Sequence, residues 1–139
     1  MSQRVWRLLK PGGILVLSIP VKKVGHDEYR GKNIYGLEGI PSSANRGHFF
    51  QRYYDEVGLR TRILDRLTDG RIVSQQTWGE RKAGWFEEYE RQWMVRGAGI
   101  TCLDPILMMR NLRGFSDIKD LVGVGVECLA VRKSVEKAV

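Results

Sequence analysis

Cysteine and histidine are scarce in this chain, two of each in 139 residues. Cys102 and Cys128 lie far apart among apolar neighbours and fit no ligand spacing, which points to buried free thiols in a reducing, cytoplasmic setting. His26, Asp27 and Glu28 are adjacent, and adjacent residues rarely converge on one ion, so no metal site is expected. No apolar run approaches the roughly 20 residues of a membrane helix, and residues 1–10 lack the apolar stretch of a signal peptide. No membrane partner is expected. No Gly-rich loop follows a strand in the pattern that cradles phosphates. Ser18 sits in an apolar run without a nucleophile elbow, which leaves it a structural role.

A block of like charge is missing as well. The formal net charge is +7 and the sequence pI about 9.7, a balance that raises the question of nucleic acid. Basic and acidic residues nevertheless alternate, as in Asp27-Glu28-Tyr29-Arg30 and Glu87-Glu88-Tyr89-Glu90-Arg91. That interleaving favours a solvated mixed surface over a dedicated nucleic-acid stripe.

What is present reads as one globular domain over residues 1–139, with 42% apolar and 9% aromatic residues. Residues 2–9 carry the apolar face of a helix end, through Val5, Trp6, Leu8 and Leu9. Pro11 stops that helix, and Gly12-Gly13 permit a tight reversal. Ile14 to Ile19 is apolar on both faces, the mark of a strand covered on both sides. Pro20 ends it. Residues 21–50 show no periodicity and read as a long loop, and loops of that length are usually functional.

Asp55 is a natural N-cap, with Leu59, Ile63, Leu64 and Leu67 following at helical spacing. Asp69-Gly70 predicts a turn, and residues 71–78 a strand. Residues 81–122 read as a helical insert, whose aromatic stripe through Trp85, Phe86, Tyr89 and Trp93 is packing rather than a base-stacking platform. A strong strand follows from Val124 to Val131. His26, Tyr29, Arg30, Tyr35 and Arg46 are the loop residues with the chemistry to contact a substrate, against the alternative of a solvated loop. Spacing alone assigns no reaction, no catalytic residue and no cofactor-binding residue.

Leu8-Leu9-Lys10-Pro11-Gly12-Gly13 followed by the strand Ile14 to Ile19 resembles the turn into the fifth strand of class I S-adenosylmethionine-dependent methyltransferases. "YYDEVGLRTRIL", residues 53–64, is similar to the helix after that strand. "GRIVSQQTWGE" is similar to the sixth strand and "VGVECLAVRKS" to the seventh. The resemblance covers about two-thirds of the chain and corresponds to the C-terminal half of the family only.

It implies an α/β fold: a partial Rossmann-like methyltransferase sheet, the last three strands, mixed, with flanking helices. The strand order would be 14–19, 124–132, 71–78, with the last strand inserted antiparallel. It implies a transferase moving a methyl group to an oxygen, nitrogen or carbon acceptor, with residues 21–50 as the acceptor-side loop. S-adenosylmethionine is the cofactor of the parent family. Its Gly-rich loop and ribose-binding carboxylate would precede residue 1, so this chain alone is expected to bind it weakly or not at all.

Two other classes fit the same residues: a non-catalytic interaction module that completes its sheet with a partner chain, and a basic nucleic-acid-binding domain. The strand Ile14 to Ile19 contains no lysine, proline or bulge to blunt an edge. It is therefore the expected seat of a homo-oligomer or partner contact.

Overall fold

Pro11 and the two glycines after it decide where the first strand begins. In the computed structural model, which describes residues 2–30, 42–43, 47–87 and 110–135, helix α1 (Ser2–Leu8) is followed by a tight turn with Gly12 at φ +81°. Strand β1 (Ile14–Val21) leaves that turn. The reversal is pinned to β7 (Gly125–Lys133) by Gly12 N–H donating to the Lys133 carbonyl and Lys133 N–H to the Gly13 carbonyl, at 3.0 and 2.9 Å. The Lys133 ammonium donates to the carbonyls of Trp6 and Leu9, at 3.0 and 2.9 Å. Both lie at the helix end, where the Trp6 carbonyl also accepts the Leu9 N–H at 3.2 Å, so one cation adds a bond to each and complements the dipole.

β2 (His26–Arg30), β3 (Ser42–Ser43) and β4 (Gly47–Tyr53) come next, then α2 (Glu56–Arg62), a 3-10 turn (Leu64–Arg66), β5 (Gly70–Glu80) and β6 (Leu112–Phe115). Helix α2 starts where the N-cap places it: Asp55 has extended backbone, and its carboxylate accepts the Gly58 N–H at 2.7 Å. The Asp69-Gly70 turn forms with Asp69 at φ 59°, a conformation that a short polar side chain tolerates.

The main sheet has the order β1-β7-β5-β6, with every neighbouring pair antiparallel. The order of the first three matches the order expected from the resemblance. The sheet is not mixed at the level of neighbours, because β7 reverses between β1 and β5. Those two strands therefore run parallel to each other without touching. Leu15, Leu17, Ile19 and Val21 of β1 lie opposite Val131, Leu129, Glu127 and Gly125 of β7. This face carries the core. Ile19, Val21, Leu59, Ile118, Leu121 and Leu129 form one cluster, and Trp6, Leu67 and Val131 another, with Leu17 and Leu64 packed against both. Both α1 and α2 thus cover the same side.

The expectation that Ile14 to Ile19 is covered on both faces fails. Ile14 is 44% exposed and Val16 74%. Val126 and Trp78 share that uncovered face through their pairing with Pro20 and with each other. An apolar run shows that both faces can be buried; helices on one side bury only one.

Three further expectations change. Residues 21–50 are not loop throughout, since β2, β3 and β4 form a second, antiparallel sheet in the order β2-β4-β3. The 81–122 segment is not wholly helical: its described parts include a turn of helix at 85–87, strand β6 and a 3-10 turn at Ile118–Asp120. Cys128 is half-buried rather than buried, because it points to the uncovered face; Cys102 lies outside the described residues. No described helix is long and apolar enough to cross a membrane.

Glu80, at the end of β5, ties the segment that follows it to the chain leading into β7. Its carboxylate is buried and accepts the N–H groups of Gly84, Phe86 and Val124 at 3.1, 2.9 and 3.0 Å. A Cβ at Gly123 would stand 1.8 Å from its Oε1, so only glycine lets the chain pass.

Candidate functional site

The carboxyl end of β1 is where the two sheets meet. Tyr54 donates its N–H to the Pro20 carbonyl and accepts from Lys22 N–H, both at 3.0 Å, forming a parallel bridge to Val21. Immediately beyond, Gly25 N–H donates to the free oxygen of the Asp55 cap at 3.3 Å. One carboxylate thus holds the start of α2 and the start of β2 together. A Cβ at Gly25 would meet the Tyr53 carbonyl at 2.8 Å, which explains the small residue there.

Between these elements lies an open cleft of about 250 Å³, with His26, Asp27, Arg52, Tyr54, Asp55 and Arg62 on its walls. Open α/β sheets bind ligands beyond the carboxyl ends of their strands, and this cleft has that position relative to β1. A wider hollow of about 550 Å³ lies beside Gln75, Trp78 and Phe115, where β6 stops along β5. Trp78 belongs there to the uncovered apolar face, so the hollow is the margin of a surface rather than a strand-end site.

The electrostatics of the cleft are dominated by one pair. Arg52 Nε and a terminal guanidinium nitrogen donate to the two carboxylate oxygens of Asp27 at 2.6 and 3.2 Å. This fork is set by register, because Asp27 and Arg52 are cross-strand partners in the β2–β4 ladder. The hydrogen bonds from Arg52 hold the Asp27 carboxyl below its ordinary range, and Asp27 holds the Arg52 guanidinium above its own. Tyr53 is buried beneath, with the His26 ring 5.2 Å away and the Lys22 ammonium 4.6 Å above its face.

Of the residues singled out from the sequence, His26 lines the cleft. Tyr29 is on β2 past a bulge, opposite Phe49, and is not among the cleft residues. Arg30 ends β2, paired with His48. Tyr35 and Arg46 lie outside the described residues. Sequence reasoning missed Arg52 and Arg62. Arg52 carries no local signal, since its role depends on pairing 25 residues away. Arg62 did carry one, as it follows Gly58 at the i, i+4 spacing that places both on one helix face. Among the described residues, no three His, Cys, Asp or Glu side chains come together to hold a metal ion.

Comparison with protein-family models, curated proteins and solved structures found no match to this chain.

Proposed function

We propose that this chain is the acceptor-side part of an S-adenosylmethionine-dependent methyltransferase. The observation that carries this reading is the strand arrangement, in which β1 and β5 run parallel with β7 reversed between them and α1 and α2 on one face. The strand order, though not a mixed sheet, is the one that the Lys-Pro-Gly-Gly strand resemblance implies for the last three strands.

In this reading, the connection rule for parallel strands says where a preceding strand would lie. The β1-α2-β5 crossover joins parallel strands, and such crossovers are right-handed in nearly all proteins. Helix α1 lies on the same face as α2 and feeds β1. By the same rule, a parallel strand leading into α1 belongs on the opposite side of β1 from β7. That is the edge left unpaired along Ile14 to Ile19 among the described residues.

The residues present do not fit the cofactor. In the parent family a carboxylate takes up the ribose hydroxyls, and the two carboxylates of this cleft are instead committed to holding the fold: Asp27 to Arg52, Asp55 to the amides of Gly58 and Gly25. The part assigned to this chain is therefore to hold and orient the acceptor, where positioning supplies much of the rate in a transfer between two substrates.

The test is the reading frame upstream of the Met1 codon. A Gly-rich loop after a strand, with an acidic residue about 20 residues further on, supports the reading. The complete product should then bind S-adenosylmethionine in calorimetry, and the 139-residue chain weakly or not at all. A low-micromolar dissociation constant for the 139-residue chain, about −8 kcal/mol, or a complete product that ignores the cofactor, overturns it.

The second reading, an interaction module that completes its sheet with a second copy or a partner chain, is favoured by the same open edge and by the 74% exposure of Val16. A frame closed directly upstream of Met1 favours this second reading over the first.

A further inference from the structure

We propose that the cleft at the end of β1 anchors its ligand through a carboxylate, with Arg62 as the receiving group. Four charged side chains line the cleft besides His26, and three of them are already engaged. Asp27 and Arg52 satisfy each other through two hydrogen bonds. Asp55 accepts from Gly58 and Gly25. Arg62 remains, with no carboxylate in salt-bridge reach among the described residues. It is near enough to Asp27 that the two interact electrostatically, as His26 and Asp27 also do.

The cleft therefore offers an incoming molecule the Arg62 guanidinium, which has no hydrogen-bonded counter-ion among the described residues, and the His26 imidazole; Asp27 is neutralised by Arg52, and Asp55, which keeps its charge, has its oxygens turned to the Gly25 and Gly58 amides. A planar guanidinium matches a carboxylate with two parallel N–H bonds, a geometry that ammonium cannot reproduce. The volume, about 250 Å³, falls below the usual range for drug-sized ligands, so the ligand is a small molecule rather than a polymer segment. The identity of that ligand as a methyl acceptor rests on the methyltransferase reading; the anion site itself does not.

Benzoate, acetate and benzyl alcohol are the probes, titrated at constant ionic strength into the ¹⁵N-labelled chain and followed by the amide signals of Gly25, His26 and Gly58. Benzoate and acetate should shift these amides saturably, and benzyl alcohol should not. Arg62→Gln should weaken benzoate about tenfold or more, the scale of a charge-assisted hydrogen bond, while Arg62→Lys keeps part of the affinity. Unchanged spectra elsewhere show that each variant is folded. No shift with benzoate, an equal shift with benzyl alcohol or chloride, or undiminished affinity in Arg62→Gln overturns the proposal. None of these outcomes bears on cofactor binding by the complete product, so this site and the methyltransferase reading fail separately.

Discussion

Thr77 and Glu127 face each other across the β5–β7 pair, and the Thr77 hydroxyl lies 2.6 Å from Glu127 Oε2 in a bond closed off from solvent. Glu127 is completely buried, and its other oxygen, Oε1, has no hydrogen-bond partner among the described residues. Removing the hydroxyl leaves a buried carboxyl group wholly unsatisfied. Thr77→Val should therefore cost about 1–3 kcal/mol, whereas the double change Thr77→Val with Glu127→Leu should come out close to neutral, because both polar partners leave together. Urea unfolding of the two single variants and the double completes the cycle. Additive costs would show that the two side chains do not act as a pair.

Gly123 admits the Glu80 carboxylate at a distance no Cβ tolerates. Gly123→Ala should displace Glu80 from the three amide donors it satisfies, at a cost of about 2 kcal/mol or more. Gly114, beside which a Cβ meets nothing, is the control: Gly114→Ala should be neutral within about 0.5 kcal/mol. Thermal unfolding distinguishes the two, and equal stabilities would remove the clasp from the account of this region.

Asp27 supplies a pH dependence whose sign follows from its pair. Its carboxyl is held below the ordinary value of 3.8 by the Arg52 hydrogen bonds. Stability from the pair is thus fully present above that value and lost as pH falls through the lower, folded-state value. Both side chains are about one-third exposed, so the contribution is on the order of 0.2–1 kcal/mol. Asp27→Asn should lower stability at neutral pH and converge on the wild type in strong acid. A difference that persists or grows in acid would mean that the effect is packing rather than charge.

Val16 tests the open edge. Burying an apolar side chain of this size is worth roughly 1.5–3 kcal/mol, and Ile14 and Val16 stand exposed on a strand whose outer edge has no partner there among the described residues. The isolated chain should run in gel filtration with light scattering above its 15.9 kDa monomer mass. Val16→Lys should shift it toward monomer, since an edge lysine blocks strand addition. A wild-type chain that stays monomeric at all concentrations would sink the association.

The sheet treats its two edges differently. On β5 the pairing with β7 is interrupted by an irregularity between Ile72 and Ser74, and the opposite edge is partly covered by β6. On β1 the register to β7 is unbroken from Ile14 to Val21, and only the last residues, at Tyr54, find a neighbour on the other side. Bulged edges discourage pairing and straight ones invite it, so the association is expected at β1.

Much of the frame was legible because its causes are local. Pro11-Gly12-Gly13 stops a helix and turns the chain with a positive φ that glycine adopts freely. Asp55 caps α2 through an amide three residues away. Asp69-Gly70 reverses the chain into β5. Glu127 shares one face of β7 with Leu129 and Val131 by strict alternation, but the burial of a carboxylate was not legible from that phase. The second sheet was not legible. His26 to Arg30 carries charge on successive residues and shows no apolar alternation, so nothing near it announces a strand until β4 pairs with it from a distant part of the chain. The candidate site divides in the same way: His26 could be chosen by its chemistry, but the Asp27–Arg52 fork exists only through register. Arg62 is set free only because its neighbours are engaged elsewhere. Local backbone preference determined the helix starts, the turns and the strands of the main sheet; long-range strand pairing decided the second sheet, which charges neutralise each other and which face of the main sheet stays open.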